Sequence, residues 1–296
     1  MRKVPLFAGR RLRVAAFILV ALAAGLAPRP AGGGDPSRSG KEESAWREIE
    51  PGLELGAFQA PVKSGTGDSM VRVLRIDPGR FELRLLNASA PGQGQPLPAK
   101  EWCRRNGLVA AINAAMHWTD QRTSVSLMRT RGHVNNPALT RDKTILAFDP
   151  LAPDLPPVKI LDRECGDFEA LKGSYGTLVQ SIRMLTCKGE NVWSPQPRKW
   201  STAAIGTDGD GKVLFIHVRS PYATHDLIEI LRGLPLGLSR MMYAEGGREA
   251  QLYVRGAGGE YEFLGSSETG LNSGGGIQMA WPIPNVIGVS RKPASR

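Results

Sequence analysis

The chain lacks the features that would place it in several common protein classes. Aromatic residues make up only 6% of its 296 residues, and no stripe of basic residues carries the interleaved aromatic side chains that bind nucleic acid. Its three cysteines do not have the spacing of a zinc site. We therefore expect no nucleic-acid partner, no metal and no cofactor.

The chain also lacks an apolar run long enough to cross a membrane comfortably. Five basic residues precede a short run from Val14 to Leu26, and the small residues up to Ala27 offer a cleavage site. Residues 1–27 are therefore predicted to be a secretion signal, with no stable membrane insertion after its removal and a periplasmic or secreted mature protein. Because five basic and no acidic residues leave with the signal, the formal net charge falls from +10 to +5. The remaining charge favours an anionic substrate or envelope polymer, although it is also ordinary for a soluble exported protein.

The residues after the signal divide into a tether and a folded part. Residues 28–45 are rich in proline, glycine and serine, which predicts a flexible linker before one domain over residues 46–296. In an oxidising compartment Cys165 and Cys187 could pair and close a short loop, which would leave Cys103 buried or free.

Hydrophobic periodicity predicts many short strands in the first half of the domain. Two alternating runs flank a Pro-Gly turn and predict a β-hairpin over residues 71–86. A short helix over residues 98–106, ended by Gly107, leads into a buried strand at residues 108–112. Further strands are predicted at residues 124–128, 144–148 and 177–185, with a turn at residues 135–137.

The second half adds another hairpin and a helix. The hairpin covers residues 203–218, and its Asp-Gly-Asp-Gly turn lacks the later ligands of a calcium loop, so we predict a plain turn. Apolar residues recur at helical spacing over residues 220–236, with Thr224 as the expected N-cap. Together these elements predict an α+β fold with a mixed, largely antiparallel sheet and a few packed helices in a single domain.

An acid followed by two glycines is the candidate centre of the chemistry. Glu245 precedes Gly246 and Gly247, whose lack of a Cβ lets the backbone take a positive φ or approach a ligand closely. A half-buried strand is predicted at residues 250–254. This segment could hold an active carboxylate at a strand end, but it also fits an ordinary hairpin turn with a solvated acid.

Other polar residues lie at or near the ends of predicted strands, where a rigid scaffold commonly presents ligand groups. Asn113, His117 and Asp120 follow the buried strand at residues 108–112, and Arg219 follows the second strand of the 203–218 hairpin. Gln180 and Arg183 lie on a strand in the middle of the chain and have a weaker claim to a cleft.

The order of these motifs resembles that of the phosphodiester glycosidase family. An Asn ends an apolar strand, an Ala-Ile-Gly strand has an Asp-Gly turn, and an Arg follows the next strand. A helix, the acid-Gly-Gly turn before Gln-Leu-Tyr-Val and a closing apolar run at residues 283–289 complete the series. The resemblance spans residues 72–289, and the family includes a lysosomal enzyme that removes N-acetylglucosamine from its phosphodiester link to mannose 6-phosphate.

Three positions carry over from the family pattern. Asn113 matches the Asn of an Asn-Gly-Gly-Phe-Phe segment, Arg219 matches the Arg after the strand, and Glu245 begins the segment where the family usually has Asp-Gly-Gly-Gly-Ser. The departures from the family pattern are Ala114 and Ala115 for two glycines, Thr202 for an arginine, and Arg248 and Glu249 for the last glycine and serine.

The resemblance implies an exported hydrolase that cleaves a glycosidic bond to a phosphodiester in a sugar phosphate or an envelope polysaccharide. A phosphodiester is a good leaving group, so the site must mainly stabilise positive charge at the anomeric carbon. Glu245 is the expected nucleophile or stabiliser, and Arg219 would bind the phosphate through its planar guanidinium.

The remaining candidates have supporting roles. Asn113 would orient sugar hydroxyls or a water, and His117 or Asp120 would transfer a proton, although His117 fits a structural role equally well. The other residues expected to bind substrate are Gly246, Gly247, Gln180 and Arg183. An alternative, favoured by the departures from the family pattern, is a non-catalytic periplasmic glycan-binding protein with the same fold.

The predicted signal gives a direct test. In an expression host with a general secretion system, the mature protein should begin at Pro28, because cleavage is expected after Ala27. Intact-mass spectrometry of exported protein measures this. Membrane-bound protein that still begins with Met1 would contradict the prediction.

Overall fold

Antiparallel strands form most of the structure, a computed structural model that describes residues 45–266 and 279–293. The predicted signal and almost all of the predicted linker lie outside these residues. The described strands are, in chain order, β1 (Trp46–Glu50), β2 (Leu53–Gln59), β3 (Met70–Ile76), β4 (Phe81–Asn87), β5 (Ala110–Asn113), β6 (Met128–Arg129), β7 (Val134–Asn136), β8 (Thr144–Pro150), β9 (Val158–Asp162), β10 (Tyr175–Ser181), β11 (Trp200–Asp208), β12 (Val213–Tyr222), β13 (Leu238–Gly246), β14 (Gln251–Gly256), β15 (Gly259–Leu264) and β16 (Asn285–Arg291). The described helices are α1 (Ala99–Asn106), α2 (Asp167–Leu171) and α3 (Thr224–Gly233).

These strands form three sheets within the described part of the chain. The first sheet has the order β1-β2-β3-β12-β11-β13, the second β7-β6-β10-β8-β9 and the third β15-β14-β5-β16-β4. The strand neighbours within each sheet pair antiparallel. The described residues belong to one compact unit. The predicted α+β class, its largely antiparallel sheet and its single domain are therefore confirmed.

The largest hydrophobic cluster joins the three sheets. Its members include Leu74 and Phe215 of the first sheet, Leu146 of the second, and Ile112 and Ile287 of the third, all completely buried. Burial of each such side chain contributes roughly 1.5–3 kcal/mol. The sheets are thus held together by a shared core rather than by one continuous ladder of hydrogen bonds.

Several predicted elements form as expected. Helix α1 ends at Gly107, which takes a left-handed φ of 66°. Strands β11 and β12 pair as the predicted hairpin. In its turn, the Asp208 carboxylate accepts hydrogen bonds from the backbone N–H groups of Asp210 and Lys212, at 3.0 and 2.8 Å. These contacts make it the plain turn that the sequence predicts.

The predicted hairpin over residues 71–86 is wrong in its pairing. Both strands form, but β3 lies between β2 and β12 in the first sheet, whereas β4 pairs with β16 in the third. Phe81 N–H donates to the carbonyl of Asp77 at 3.0 Å, in a turn that carries the chain from one sheet to the other. Ile76 and Phe81 then pack in the same core from different sheets. Two strands of one hairpin and two strands of facing sheets show the same alternation of buried and exposed residues. Periodicity therefore could not tell which arrangement residues 71–86 adopt.

The predicted strand at 124–128 and turn at 135–137 are also wrong. Only Met128 of the first range lies in a strand, and Asn136 pairs with it from β7. Side chains replace the missing ladder, because Asn135 Oδ1 accepts a hydrogen bond from Ser124 N–H and Asn136 Nδ2 donates to Ser124 O, both at 2.7 Å.

Three smaller expectations need correction. Strand β10 ends at Ser181 instead of reaching residue 185. Thr224 is the first residue of α3 and Ala223 is its N-cap, without a side-chain capping bond. The predicted strand at 250–254 is fully buried rather than half-buried, because Leu252 packs in the core between the sheets while Tyr253 packs against α1 and its neighbours.

The cysteines behave as the sequence predicts. Cys165 and Cys187 form a disulfide, and Cys103 is a free buried thiol whose pKa is raised by burial. Among the described residues, no helix is long and apolar enough to cross a membrane.

The disulfide should stabilise the domain by restricting the unfolded chain. It closes a loop with a sequence separation of 22, so a Cys165→Ser, Cys187→Ser variant should lose roughly 3 kcal/mol of unfolding free energy. Urea denaturation of wild type and variant, with and without reductant, measures this loss. Reductant should weaken only the wild type; equal stability of the two oxidised proteins would contradict the expectation.

Candidate active site

Strand β13 ends at the tightly packed Gly246, and Gly247 follows with a positive φ. A Cβ on Gly246 would lie 2.0 Å from the Tyr243 hydroxyl and 2.7 Å from Cδ1 of Trp200, and Gly247 has a φ of 66°. Gly247 begins a single 3-10 turn, Gly247–Glu249, which leads into β14. Gly247 therefore takes the expected positive φ, and Gly246 allows a close approach by two protein side chains. Contact of either glycine with substrate stays a prediction.

Glu245 lies at this strand end and is only 8% exposed. A β-bulge in β13 places two residues, Ala244 and Glu245, opposite Ala203 of β11. Ala203 and Ala244 are both part of the core between the sheets. The Glu245 carboxylate accepts one hydrogen bond, from Gly246 N–H at 2.9 Å. Burial, with a smaller contribution from the charge of Glu249, raises its pKa to about 8 against the effect of this bond. Glu245 is not the solvated acid of an ordinary hairpin turn.

Two further side chains converge on Glu245. Nε2 of His117 is 3.8 Å from a carboxylate oxygen of Glu249, and one ligand atom from each of His117, Glu245 and Glu249 lies within 4.8 Å of the others. We call these three residues the acid centre. Two carboxylates and an imidazole are a donor set that could hold a metal ion. The sequence pointed to His117 and Glu245 but missed Glu249, whose only signal was a second acid four residues after the first.

The ring of His117 has a fixed orientation. Its Nδ1 lies 2.9 Å from the carbonyl oxygen of Trp118, which can only accept, so Nδ1 carries the proton of the neutral ring. Nε2 is buried and forms no hydrogen bond with the described residues. The unprotonated nitrogen therefore faces the two carboxyl groups.

Asn113 holds the turn that carries Glu249. Its Nδ2 donates to the carbonyl of Glu249 at 2.8 Å, and its Oδ1 accepts from Gln251 N–H at 2.7 Å. The side chain is 2% exposed. Asn113 thus links the end of β5 to the acid centre through the backbone, and its expected contact with sugar or water stays a prediction.

Arg219 lies on the same side of the first sheet as Glu245. In neighbouring strands His217, Ala203 and Glu245 are register partners, and Arg219 is two residues beyond His217. Two strand spacings separate β12 from β13, about 10 Å. Arg219 lines a cavity of about 130 Å³ with His217, and no hydrogen bond or ion pair links its guanidinium to a described residue. Asp68 and Glu262 line the same cavity, and binding of a substrate anion by Arg219 stays a prediction.

His217 is a buried residue that the sequence analysis missed. Its Nε2 donates to the carbonyl of Ala250 at 3.2 Å, and its ring stacks on Phe263. Burial lowers its pKa to about 4, and the charges of Arg72 and Arg219 act in the same direction. The neutral ring ties β12 to the start of β14, directly after Glu249. A histidine within an apolar strand, two residues before Arg219, was its only sequence signal.

Three other candidates have structural partners of their own. The Asp120 carboxylate is exposed and accepts hydrogen bonds from Arg122 and Thr123 in a turn, and the bonds from Thr123 lower its pKa. Gln180 uses its whole amide on the backbone around Leu127, Thr140 and Asp142. Arg183 pairs with Asp162 and Glu164, at 3.1 and 2.6 Å. None of these three contributes to the acid centre, and their roles toward a substrate stay predictions.

Comparison with known proteins agrees with this architecture. The catalytic domain of zebrafish N-acetylglucosamine-1-phosphodiester alpha-N-acetylglucosaminidase, auto-inhibited by its pro-peptide, has a TM-score of 0.60 and 13% identity over 83% of this chain and 86% of that chain. A hypothetical protein from Synechocystis has a TM-score of 0.53 and 14% identity over 81% of this chain and 62% of that one. No curated protein matches the sequence. A family model described as phosphodiester glycosidase matches residues 106–290, well over half of the chain.

The buried histidine predicts a pH dependence of stability. Because folding depresses the pKa of His217 from 6.5 to about 4, the unfolded chain binds more protons, and stability falls as pH drops from 6.5 to 4. The loss should be about 3 kcal/mol, a figure of order-of-magnitude precision. Urea denaturation of wild type and His217→Gln between pH 7 and pH 4 measures this loss. The unfolding free energy of the wild type should fall relative to that of the variant as the pH falls. Parallel profiles for the two proteins would rule out a buried neutral His217.

Proposed function

Because this chain belongs to the phosphodiester glycosidase family, we propose that it is an exported hydrolase that cleaves the glycosidic bond to a phosphodiester in a sugar phosphate or an envelope polysaccharide. The observation that carries the proposal is the acid centre, with Arg219 on the same side of the sheet and its guanidinium paired with none of the described residues. The zebrafish structure is named for an N-acetylglucosamine-1-phosphodiester, which makes that compound class the first substrate to test.

The two parts of the site suit the two halves of such a substrate. A planar guanidinium matches the oxygens of a phosphodiester in two parallel hydrogen bonds, so Arg219 would bind the anionic half. The acid centre would act at the anomeric carbon, where positive charge develops as the phosphate leaves. Buried groups act more strongly on such a charge than solvated ones do.

Export is supported by two observations. The Cys165–Cys187 disulfide forms most readily in an oxidising compartment. The first 27 residues carry the basic and apolar segments of a secretion signal. A periplasmic or secreted location would also bring the site to envelope polysaccharides.

The alternative from another class is a protein that binds the same glycans without cleaving them. It is supported by the departures from the family pattern, including Glu245 for the usual aspartate and Arg248 and Glu249 for glycine and serine. One added methylene displaces a carboxylate, and catalysis is sensitive to such shifts. Turnover and binding must therefore be measured on the same variants.

Glu245→Gln keeps the size of the side chain and removes its acid. If the protein is an enzyme, turnover of N-acetylglucosamine 1-phosphate methyl ester should fall at least about 100-fold, since the acid acts at the reacting carbon. Release of free N-acetylglucosamine measures turnover, and calorimetry with N-acetylglucosamine 1-phosphate measures binding. Glu169→Gln, on α2 and paired with Lys172, is the matched control and should behave as wild type.

The possible outcomes separate the two functions. Loss of turnover with retained binding supports catalysis through Glu245. Wild-type protein that binds the sugar phosphate but releases no sugar from any phosphodiester supports the glycan-binding alternative. Full turnover by Glu245→Gln would remove this residue from the mechanism.

Arg219→Lys tests the anionic half of the substrate. An ammonium group replaces the planar guanidinium and cannot form its two parallel hydrogen bonds to the phosphate. KM should therefore rise and kcat/KM should fall by roughly 10- to 100-fold. The melting temperature should barely change, because the partly exposed Arg219 forms no ion pair with a described residue and even an exposed pair contributes within about 1 kcal/mol. Arg232→Lys, on α3 and paired with Glu229, is the control. Unchanged kinetics in Arg219→Lys would remove most of the case for an anionic substrate.

A further inference from the structure

We infer that the acid centre binds a divalent cation, through Nε2 of His117 and one carboxylate oxygen each of Glu245 and Glu249. Binding of the cation is independent of the proposed function. Its participation in phosphodiester cleavage rests on that function.

The distances in the acid centre suit a bound ion. Nε2 of His117 and the Glu249 oxygen are 3.8 Å apart, and the three ligand atoms lie within 4.8 Å of one another. A point equidistant from three atoms with these separations is about 2–3 Å from each, which covers the usual bond lengths of Zn²⁺ and Ca²⁺ to nitrogen and oxygen. The 3.8 Å between Nε2 of His117 and the Glu249 oxygen is too long for a direct hydrogen bond.

The chemistry of the three groups points to a missing positive charge. With its proton on Nδ1, His117 presents the lone pair of Nε2, and the carboxyl oxygens of Glu245 and Glu249 face the same point. A bound cation would displace any proton from these ligand atoms. The His117 side chain is 7% exposed and its Nε2 has no hydrogen-bond partner among the described residues. A buried acceptor without a donor, such as Nε2 of His117, is costly, and a cation bound there removes that cost.

The surroundings of the ligands also fit a metal site. Metal-bound histidines usually donate their other ring N–H to a carbonyl or carboxylate, as His117 does to Trp118. Asn113 fixes the backbone on both sides of the Glu249–Gln251 segment. Glu245 is held at the end of β13 by its bond from Gly246. Each ligand is thus oriented by a contact that does not involve the other ligands.

The donor set narrows the choice of ion. Imidazole favours zinc and other transition metals, whereas carboxylates also suit manganese and calcium, so one nitrogen with two oxygens fits Zn²⁺ or Mn²⁺ best. Three protein ligands leave at least one position for water or a substrate oxygen, as in catalytic metal sites. A cation there would supply a Lewis acid or a bound water of lowered pKa.

Two of the three ligands depart from the usual family segment. Glu249 stands where the related family segment ends in serine, and Glu245 stands where it begins with aspartate. Glu249→Ser therefore removes a ligand with a residue that the family segment accepts at this position, which makes it a test variant expected to fold.

The test uses mature protein that has been treated with a chelator and desalted. Calorimetric titration with Zn²⁺, Mn²⁺ and Ca²⁺ separately should show one site per chain for at least one ion, and a saturating concentration should raise the melting temperature by roughly 5 °C. His117→Gln and Glu249→Ser should each weaken binding at least about 10-fold. His133→Gln, whose ring contacts Ser89 and is not one of the three ligands, should bind as wild type does.

Three results would overturn the inference: no binding of any of the three ions to wild type, equal binding by the ligand variants, or equal loss in the His133 control. Thermal melting of each metal-free variant shows whether it folds. If His117→Gln does not fold, Glu249→Ser alone provides the comparison with wild type. Turnover of stripped and reloaded protein separates this inference from the proposed function. If the protein binds the cation but cleaves no phosphodiester, only the proposed function is rejected. If metal-free protein has full turnover and binds no ion, only the cation site is rejected.

Discussion

Burial of one carboxyl group at the end of β13 is the constraint on which the rest of the site depends. A buried ionised carboxylate is costly unless it is paired or hydrogen-bonded, and Glu245 has one backbone hydrogen bond, from Gly246. The bulge opposite Ala203, the close packing of Gly246 and the positive φ of Gly247 all serve to hold this group in place. Asn113 then fixes the following turn, so that Glu249 approaches the same point.

The departures from the family pattern have different consequences in the structure. Ala114 and Ala115 are buried in the core beside β5, so they fill space there rather than line a cleft. Thr202 is buried opposite Gly246 and offers no positive charge there. Arg248 lies over the ring of Trp281, at 3.7 Å. Glu249 is the departure that adds a functional group, and it changes the charge of the site.

Local sequence signals predicted most elements but not their partners. Period and glycine position were sufficient for α1 and for the hairpin of β11 and β12, whose backbone hydrogen bonds join neighbours in sequence. The apolar run also predicted β5, although its partners β14 and β16 lie far along the chain. These local signals failed for β4, whose partner β16 lies about 200 residues later and is chosen by the core. The site residues divide in the same way, into those that a local motif indicates and those that only the fold brings together. The motif order pointed to Glu245 and Arg219, whereas Glu249 and His217 join the site through a 3-10 turn and a cross-sheet hydrogen bond that no short pattern encodes.

The central claim is that the acid centre and Arg219 bind one sugar phosphate between them. A crystal soaked with N-acetylglucosamine 1-phosphate tests it most directly. The account predicts the phosphate within hydrogen-bond distance of the Arg219 guanidinium and the anomeric carbon beside the carboxyl groups of Glu245 and Glu249. A sugar phosphate bound elsewhere, with no atom near the acid centre, would contradict it.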